Sequence, residues 1–470
     1  MCRRSARAGS ALGGLSRRDF VGTVAWAGAG LLAGSSCLRG QPVGLAAPTI
    51  HPFSVEGLTL VVAAAVYRTG AAGEVRVSTT ARLEIPPADI ATVRDEELLL
   101  SEKPPAGFFT GTQLKGTKAK NIGALRSLIE ESLELKDTSG RKLKKGDDYL
   151  VAAPFALLGL GPRASVTATT KVYATYAHYL QRIDVVAVDT RGVAFLIPGT
   201  PNIMSPALPA IPRDATAIAS VYRPFQATTL EPAHVFPITA RAGESPTATT
   251  RGRIPKTLRK LQAGEAVTVV CWGDSITVGA DVEPTEAWAN RLLAELQRKF
   301  PRARINHKNH SIGGTKTAQW LHNGDFSGLP KQNPEKCRFE NILAETPDLV
   351  VMEFLNDIVL KEEVLEATYK RIHEAFAARG IEWVIVTPSQ KIPESFNLAE
   401  MKDEKPRLLD AFLRRFATAH GYALADTAAR WKHLHREGIP YFALFNNAYN
   451  HPNAFGHQLF IEEILKCFQP

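Results

Sequence analysis

The chain reads as an α/β protein whose C-terminal half, residues 265–470, folds as a doubly wound five-stranded parallel sheet, preceded by a smaller β-rich domain. Three observations predict this. The apolar run Ala266–Trp272 has no alternation, is rich in β-branched residues and stops at Gly273-Asp274-Ser275-Ile276-Thr277. That is the pattern of a strand buried on both faces and feeding a tight turn. Behind it, strand-like and helix-like stretches alternate to the end of the chain, as crossover units of a parallel sheet do. Finally, 470 residues is long for one domain, and the first half lacks this alternation.

The N-terminal 47 residues read as an export signal. Ser16-Arg17-Arg18-Asp19-Phe20-Val21-Gly22 carries paired arginines, followed by an uncharged Ala/Gly-rich stretch to Leu38, the pattern of a twin-arginine leader. Cleavage after Ala47 is the first expectation, and lipidation of Cys37 the second. The formal charge of +9 owes much to this segment: six arginines and Asp19 lie within it. No Lys/Arg-rich stripe with interleaved aromatics occurs, which argues against nucleic acid as a partner. The mature chain carries no apolar stretch long enough to span a bilayer. Of five cysteines, Cys2 and Cys37 lie in the signal. The remaining three, Cys271, Cys337 and Cys467, have no paired spacing, so neither a disulfide scaffold nor a zinc module is expected.

Residues 48–240 have β texture. Gly57–Tyr67, Glu74–Ile85, Ser165–Tyr176 and Ile183–Leu196 are β-branched runs bounded by Gly and Pro, with Asp189-Thr190-Arg191-Gly192 as a turn signal. Leu125, Leu128, Ile129 and Leu133 predict a helix over Asn121–Leu135. Pro198–Pro212, with five prolines, predicts an extended connector. Residues 241–264, rich in Pro, Ser, Thr and Gly, read as the interdomain linker.

Beyond the linker, Ala287–Phe300 places Trp288, Leu292, Leu293, Leu296 and Phe300 along one helical face. Arg304–Asn309 predicts a second strand and Asp348–Phe354 a third. Glu362–Arg379 is helical, with Leu365, Tyr369, Ile372 and Phe376 inward. Ile381–Thr387 is a fourth strand, Arg407–Ala419 a helix, Ala423–Ala425 a short fifth strand and Ala454–Phe468 the closing helix.

Four loops at the strand ends hold the polar residues that chemistry needs: Ser275; Asn309-His310-Ser311-Ile312-Gly313-Gly314-Thr315; Asn356-Asp357; and Asn450-His451-Pro452-Asn453. In a doubly wound sheet such loops gather along the carboxyl edge. Ser275 needs a base to become a nucleophile, and His451 is the candidate. A developing oxyanion needs donors, which the backbone N–H groups of Ser275 and Gly314 and the amide of Asn356 supply.

These four blocks resemble those of the SGNH (GDSL-type) hydrolases, over about residues 265–470. Gly273-Asp274-Ser275 resembles the first block, Ile312-Gly313-Gly314 the second, Asn356-Asp357 the third and His451-Pro452-Asn453 the last. The resemblance implies a flavodoxin-like five-stranded parallel sheet, Ser275 as nucleophile, His451 as base, and Ser275, Gly314 and Asn356 as the oxyanion hole, with no metal or organic cofactor. It implies an esterase. Export and the β-rich module point to an acetyl ester of carbohydrate as substrate, with an O-acyltransferase as one alternative and a non-catalytic carbohydrate-binding protein with a decayed triad as the other. Two departures stand out. Phe354 replaces the glycine usual two residues before Asn356, which predicts a narrowed pocket or a redirected loop. The acid usual three residues before the histidine is Ala448, which leaves Asn447 as the group expected to orient His451, or else Asp357 or Asp426. His433, His435 and His457 lack metal-ligand spacing.

Overall fold

Ala266–Gly273 is a strand, β1. It lies inside a five-stranded sheet with Arg304–Ser311 (β2), Leu349–Glu353 (β3), Glu382–Val386 (β4) and Ala423–Ala425 (β5). The order is β2-β1-β3-β4-β5 and every pair is parallel, the flavodoxin-like arrangement. The computed structural model describes residues 53–69, 73–240, 244, 247–321, 334–393, 398–403 and 405–469. The segment read as an export signal, residues 1–47 with Cys37, lies outside them. No helix among the described residues is long and apolar enough to cross a membrane.

Both faces of the sheet are covered, by helices Pro255–Ala263 (α1), Ser275–Val278 (α2), Trp288–Lys299 (α3), Glu362–Ala377 (α4), Leu408–His420 (α5), Thr427–His433 (α6) and Ala454–Cys467 (α7). Successive side chains of β1 point to opposite faces. Val267, Val269 and Cys271 pack with Trp288 and Leu292 of α3 and Phe460 and Ile464 of α7. Val270 and Trp272 pack with Tyr369 and Phe376 of α4 and Phe412 of α5. This double burial is why the run reads as continuously apolar. Cys271, Cys337 and Cys467 are all buried free thiols.

Two pairings set the site. Gly273 is level with Ser311 of β2 and with Glu353 of β3, so the loops after these three strands begin at one height. The chain goes from β1 to β2 on one side and then crosses to β3 on the other, so the strand order reverses at the carboxyl end of β1. Crevices for ligands open there in this kind of sheet.

The N-terminal half is built of antiparallel strands. Phe53–Glu56, Thr59–Val62 and Ala81–Glu84 form one sheet; Leu128–Asp137, Lys171–Leu180 and Asp89–Leu99 another. Arg182–Asp189 is flanked by Ala194–Ile197 and Ala215–Arg223, with Val235–Pro237 beyond. The helix expected over Asn121–Leu135 is absent: Leu128–Asp137 is a strand paired with Lys171–Leu180, its register shifting between Ile129 and Glu134. The extra residues at that irregularity break the alternation of period two, and so the apolar residues fall at helix-like spacing.

Nine residues of the stretch read as a linker form helix α1, whose Leu258 and Leu261 enter the C-terminal core. Thr250 extends the hold: its N–H donates to the Leu424 carbonyl (2.9 Å) and its hydroxyl accepts from the Leu424 N–H (2.8 Å). The two halves meet in an apolar seam. Tyr222 and Phe236 pack edge-on against Phe442, with centroids 4.5 and 5.7 Å apart. The Lys402 ammonium lies 3.9 Å over the Phe236 ring. Ala448 is buried among Ala119, Ala124 and Phe225.

Candidate active site

Ser275 begins α2 directly after β1, and Asp274 caps that helix by accepting from the Ile276 N–H (3.0 Å). Gly273 is needed here for close approach. A Cβ at this position would run into the Thr277 hydroxyl and the Glu353 carbonyl. The other Asp274 oxygen accepts from the Asn356 N–H (2.9 Å). One buried carboxylate therefore ties the Ser275 turn to the loop after β3. Gly313 lies against Ser275, since a Cβ built on it would touch the serine Cβ at 3.6 Å. Gly314 follows with φ of +79°, a left-handed conformation that a side chain would strain.

His451 arrives from the loop between Phe445 and Asn453, which precedes α7. Its Nε2 is 3.0 Å from the Ser275 Oγ. Its Nδ1 is 2.5 Å from the Asp281 Oδ2. Asp281 lies on the turn after α2, at φ +68°, one of the few residue types that tolerates this backbone region. A carboxylate accepting from Nδ1–H holds the imidazole in the tautomer whose Nε2 is free to take the serine proton.

Asn447 does not orient the imidazole. Its Oδ1 accepts from the backbone N–H groups of Tyr449 (3.1 Å), Asn450 (2.9 Å) and His451 (2.9 Å), and its Nδ2 donates to the Asn450 Oδ1 (2.9 Å). It folds the loop that delivers the histidine. The alternatives also lie elsewhere. Asp426 caps α6 and pairs with Arg414, and Asp357 accepts from both the N–H and the hydroxyl of Thr317. The carboxylate that the sequence reading could not find is Asp281, six positions after Ser275.

Residues 271–459 match the family described as GDSL-like Lipase/Acylhydrolase. The C-terminal domain is a GDSL-like acylhydrolase domain. Among solved structures, a two-domain esterase active on acetylated mannans is 20% identical, with 47% of this chain and 53% of that one covered and a TM-score of 0.37. The acetyl xylan esterase AlAXEase is 18% identical (42% and 98% covered, TM-score 0.31). A G-D-S-L family protein of Veillonella parvula is 19% identical (42% and 96%, TM-score 0.28). The match thus spans about half the length of the two-domain esterase. No curated protein matches the chain.

The GDSL domain departs from its family at Phe354 without the expected effect on the pocket. That ring is buried edge-on against Trp272, centroids 5.4 Å apart, within the core beneath α4. The three histidines set aside as metal ligands have other surroundings in part: His457 is buried and accepts from the Trp288 N–H (3.3 Å), and burial lowers it to about 3, so it is neutral. Among the described residues no group of three or more His, Cys, Asp or Glu could hold a metal ion.

Three buried acids lie close to the Ser275 turn. Burial pushes Asp274 up to about 6 and Asp357 up to about 7. Burial and then the Asp274 charge drive Glu353 well above the usual carboxylate range. Asp357 gives a testable consequence. Its carboxyl keeps a proton in the folded chain that the unfolded chain releases near 4. The stability from this group is therefore full below about pH 4 and is lost as the pH rises toward about 7, at most about 4 kcal/mol. Asp357→Asn is expected to flatten that slope. Between pH 5 and 8 the variant should lose less melting temperature than the wild type, as read by thermal unfolding, and parallel losses would refute the assignment.

Proposed function

We propose that the chain is an exported two-domain serine esterase that removes acyl groups, acetyl foremost, from carbohydrate. Ser275 attacks the ester carbonyl while His451 takes its proton at Nε2, and Asp281 holds the imidazole. The N–H groups of Ser275 and Gly314 and the Asn356 amide receive the oxyanion. His451 returns the proton to the leaving alcohol, and then draws one from the water that releases the acyl group. The observation that carries this reading is the continuous relay from Asp281 through His451 to Ser275, at 2.5 and 3.0 Å. It also removes the argument for a decayed triad, which rested on a missing carboxylate.

The carbohydrate class draws support from the seam between the domains. Two residues that lead directly to His451, Ala448 and Tyr449, pack against the β-rich domain, through Ala119, Ala124 and Phe225 and through Phe108. A bulky alcohol at this serine would meet surface from both halves.

The test is covalent labelling combined with product analysis. A fluorophosphonate probe is expected to modify Ser275 in the folded protein and to leave Ser275→Ala unmodified. Acetate release from a panel of acetylated polysaccharides should depend on the same serine. Absence of an adduct would overturn the esterase reading. Acyl groups moving to an added acceptor sugar, with little free acid, would replace hydrolysis by transfer.

A further inference from the structure

Phe109 is the most exposed large apolar side chain among the described residues, at 70%. A single exposed apolar side chain is common on a protein surface; what sets this ring apart is the turn that carries it. The turn is closed by the Ala106 N–H to the Thr110 carbonyl (2.9 Å) and by the Thr110 N–H to the Ala106 carbonyl (3.2 Å). Gly107 sits within it at φ +55°.

The neighbouring Phe108 locks the turn onto the catalytic half. Its ring packs between Phe155 of its own domain (centroids 4.4 Å apart) and Tyr449 (5.0 Å), with the Phe109 ring 6.2 Å from its own. Tyr449 is fixed in turn: its N–H donates to the Asn447 Oδ1 and its carbonyl accepts from the Ile392 N–H (2.9 Å). It lies two residues before His451, so their Cα atoms are at most about 7 Å apart. The Lys391 ammonium is 3.4 Å from the Tyr449 hydroxyl and adds a hydrogen-bond donor beside the same ring.

We propose that the Ala106–Thr110 turn is a sugar subsite of the catalytic centre, where a pyranose ring of the substrate stacks on Phe109, on the turn that Phe108 anchors to Tyr449. This rests on the carbohydrate-ester reading above and deepens it. The face of an aromatic ring carries negative quadrupole charge and attracts the axial C–H groups of a pyranose, while the hydroxyls at the sugar's edge need donors such as Lys391. The ring that a stacked pyranose would cover belongs to one domain and the serine to the other. The apolar seam fixes the spacing between them.

The experiment compares acetylated xylo- and manno-oligosaccharides with p-nitrophenyl acetate, an ester with no sugar ring to stack. Phe109→Ala is expected to lower the ratio of kcat/KM for the oligosaccharide to that for p-nitrophenyl acetate about tenfold, with the loss in KM. Phe109→Trp, which keeps an aromatic face, should retain the wild-type ratio. An unchanged ratio in Phe109→Ala would overturn the subsite alone. Wild-type protein that cleaves p-nitrophenyl acetate but none of the oligosaccharides would overturn the carbohydrate reading and the subsite with it.

Discussion

Asp281→Asn is expected to lower kcat on a small acetyl ester about 10⁴-fold, equivalent to about 5 kcal/mol of transition-state stabilisation. The reason is a tautomer. With Asp281 accepting at 2.5 Å, the imidazole proton stays on Nδ1 and Nε2 accepts from the Ser275 hydroxyl at 3.0 Å. An asparagine can turn its NH2 toward Nδ1, which shifts the proton to Nε2, and the ring then donates to the serine it should deprotonate. The fold survives, because the residue keeps its shape and its φ of +68°, which asparagine tolerates as readily as aspartate. kcat and kcat/KM should therefore fall together, with the melting temperature near that of the wild type. The companion substitution is Asn447→Asp. On sequence reasoning it would restore a missing acid and raise turnover. In the folded chain it only replaces a side chain that already accepts three backbone N–H groups, and it sets an oxygen against the Asn450 Oδ1 in place of a donor. No gain in kcat is expected. A gain, together with full activity in Asp281→Asn, would show that the histidine is oriented from its own loop.

The contrast between these two residues shows what a linear reading reaches. Strands β1 to β5 were legible because burial on both faces leaves unbroken apolar runs, and the helices between them because one face alone is apolar. The four loops were legible once a parallel sheet was assumed, since every parallel strand delivers its C-terminal loop to the same edge. Asp281 was not. It is 170 residues from His451, and nothing in Gly279-Ala280-Asp281 distinguishes an acid that crosses to another loop from one that meets water. The signal it does carry, an acid just past a glycine-capped helical turn, is common to many solvated turns. Asn447 misled for a related reason: it lies one residue from the family's usual acid position, at Ala448, but spends its carbonyl on backbone. The failed helix at 121–135 and the inward-buried Phe354 share a cause, because in both cases the partner surface, not the local pattern, decides where the side chain goes. The lysine over Phe236 and the phenylalanines against Phe442 and Tyr449 were illegible in the same way, as contacts between domains.

Asn356→Ala is expected to lower kcat by about 10² to 10³, the usual loss when one oxyanion donor is removed, with little change in KM because the donor matters most once charge has moved onto the carbonyl oxygen. The position of that donor depends on Asp274. Its carboxylate is fully buried and holds the Ile276 N–H with one oxygen and the Asn356 N–H with the other. The turn bearing Ser275 and the loop bearing Asn356 therefore move as one piece. Asp274→Asn keeps the volume but leaves one of the two N–H groups facing an amide that also donates. A buried N–H without an acceptor costs about 1–3 kcal/mol, so the melting temperature should fall, unlike in Asn356→Ala. The decisive measurement is the double variant. If Asp274 acts by aiming Asn356, then Asp274→Asn adds little to the loss of kcat once Asn356 is alanine, since coupled groups are strongly non-additive. Fully multiplicative losses would mean that Asp274 serves the serine turn only and that the Asn356 amide is aimed by something else. An Asn356→Ala enzyme within about threefold of wild type, far short of the loss typical of an oxyanion donor, would remove Asn356 from the oxyanion hole.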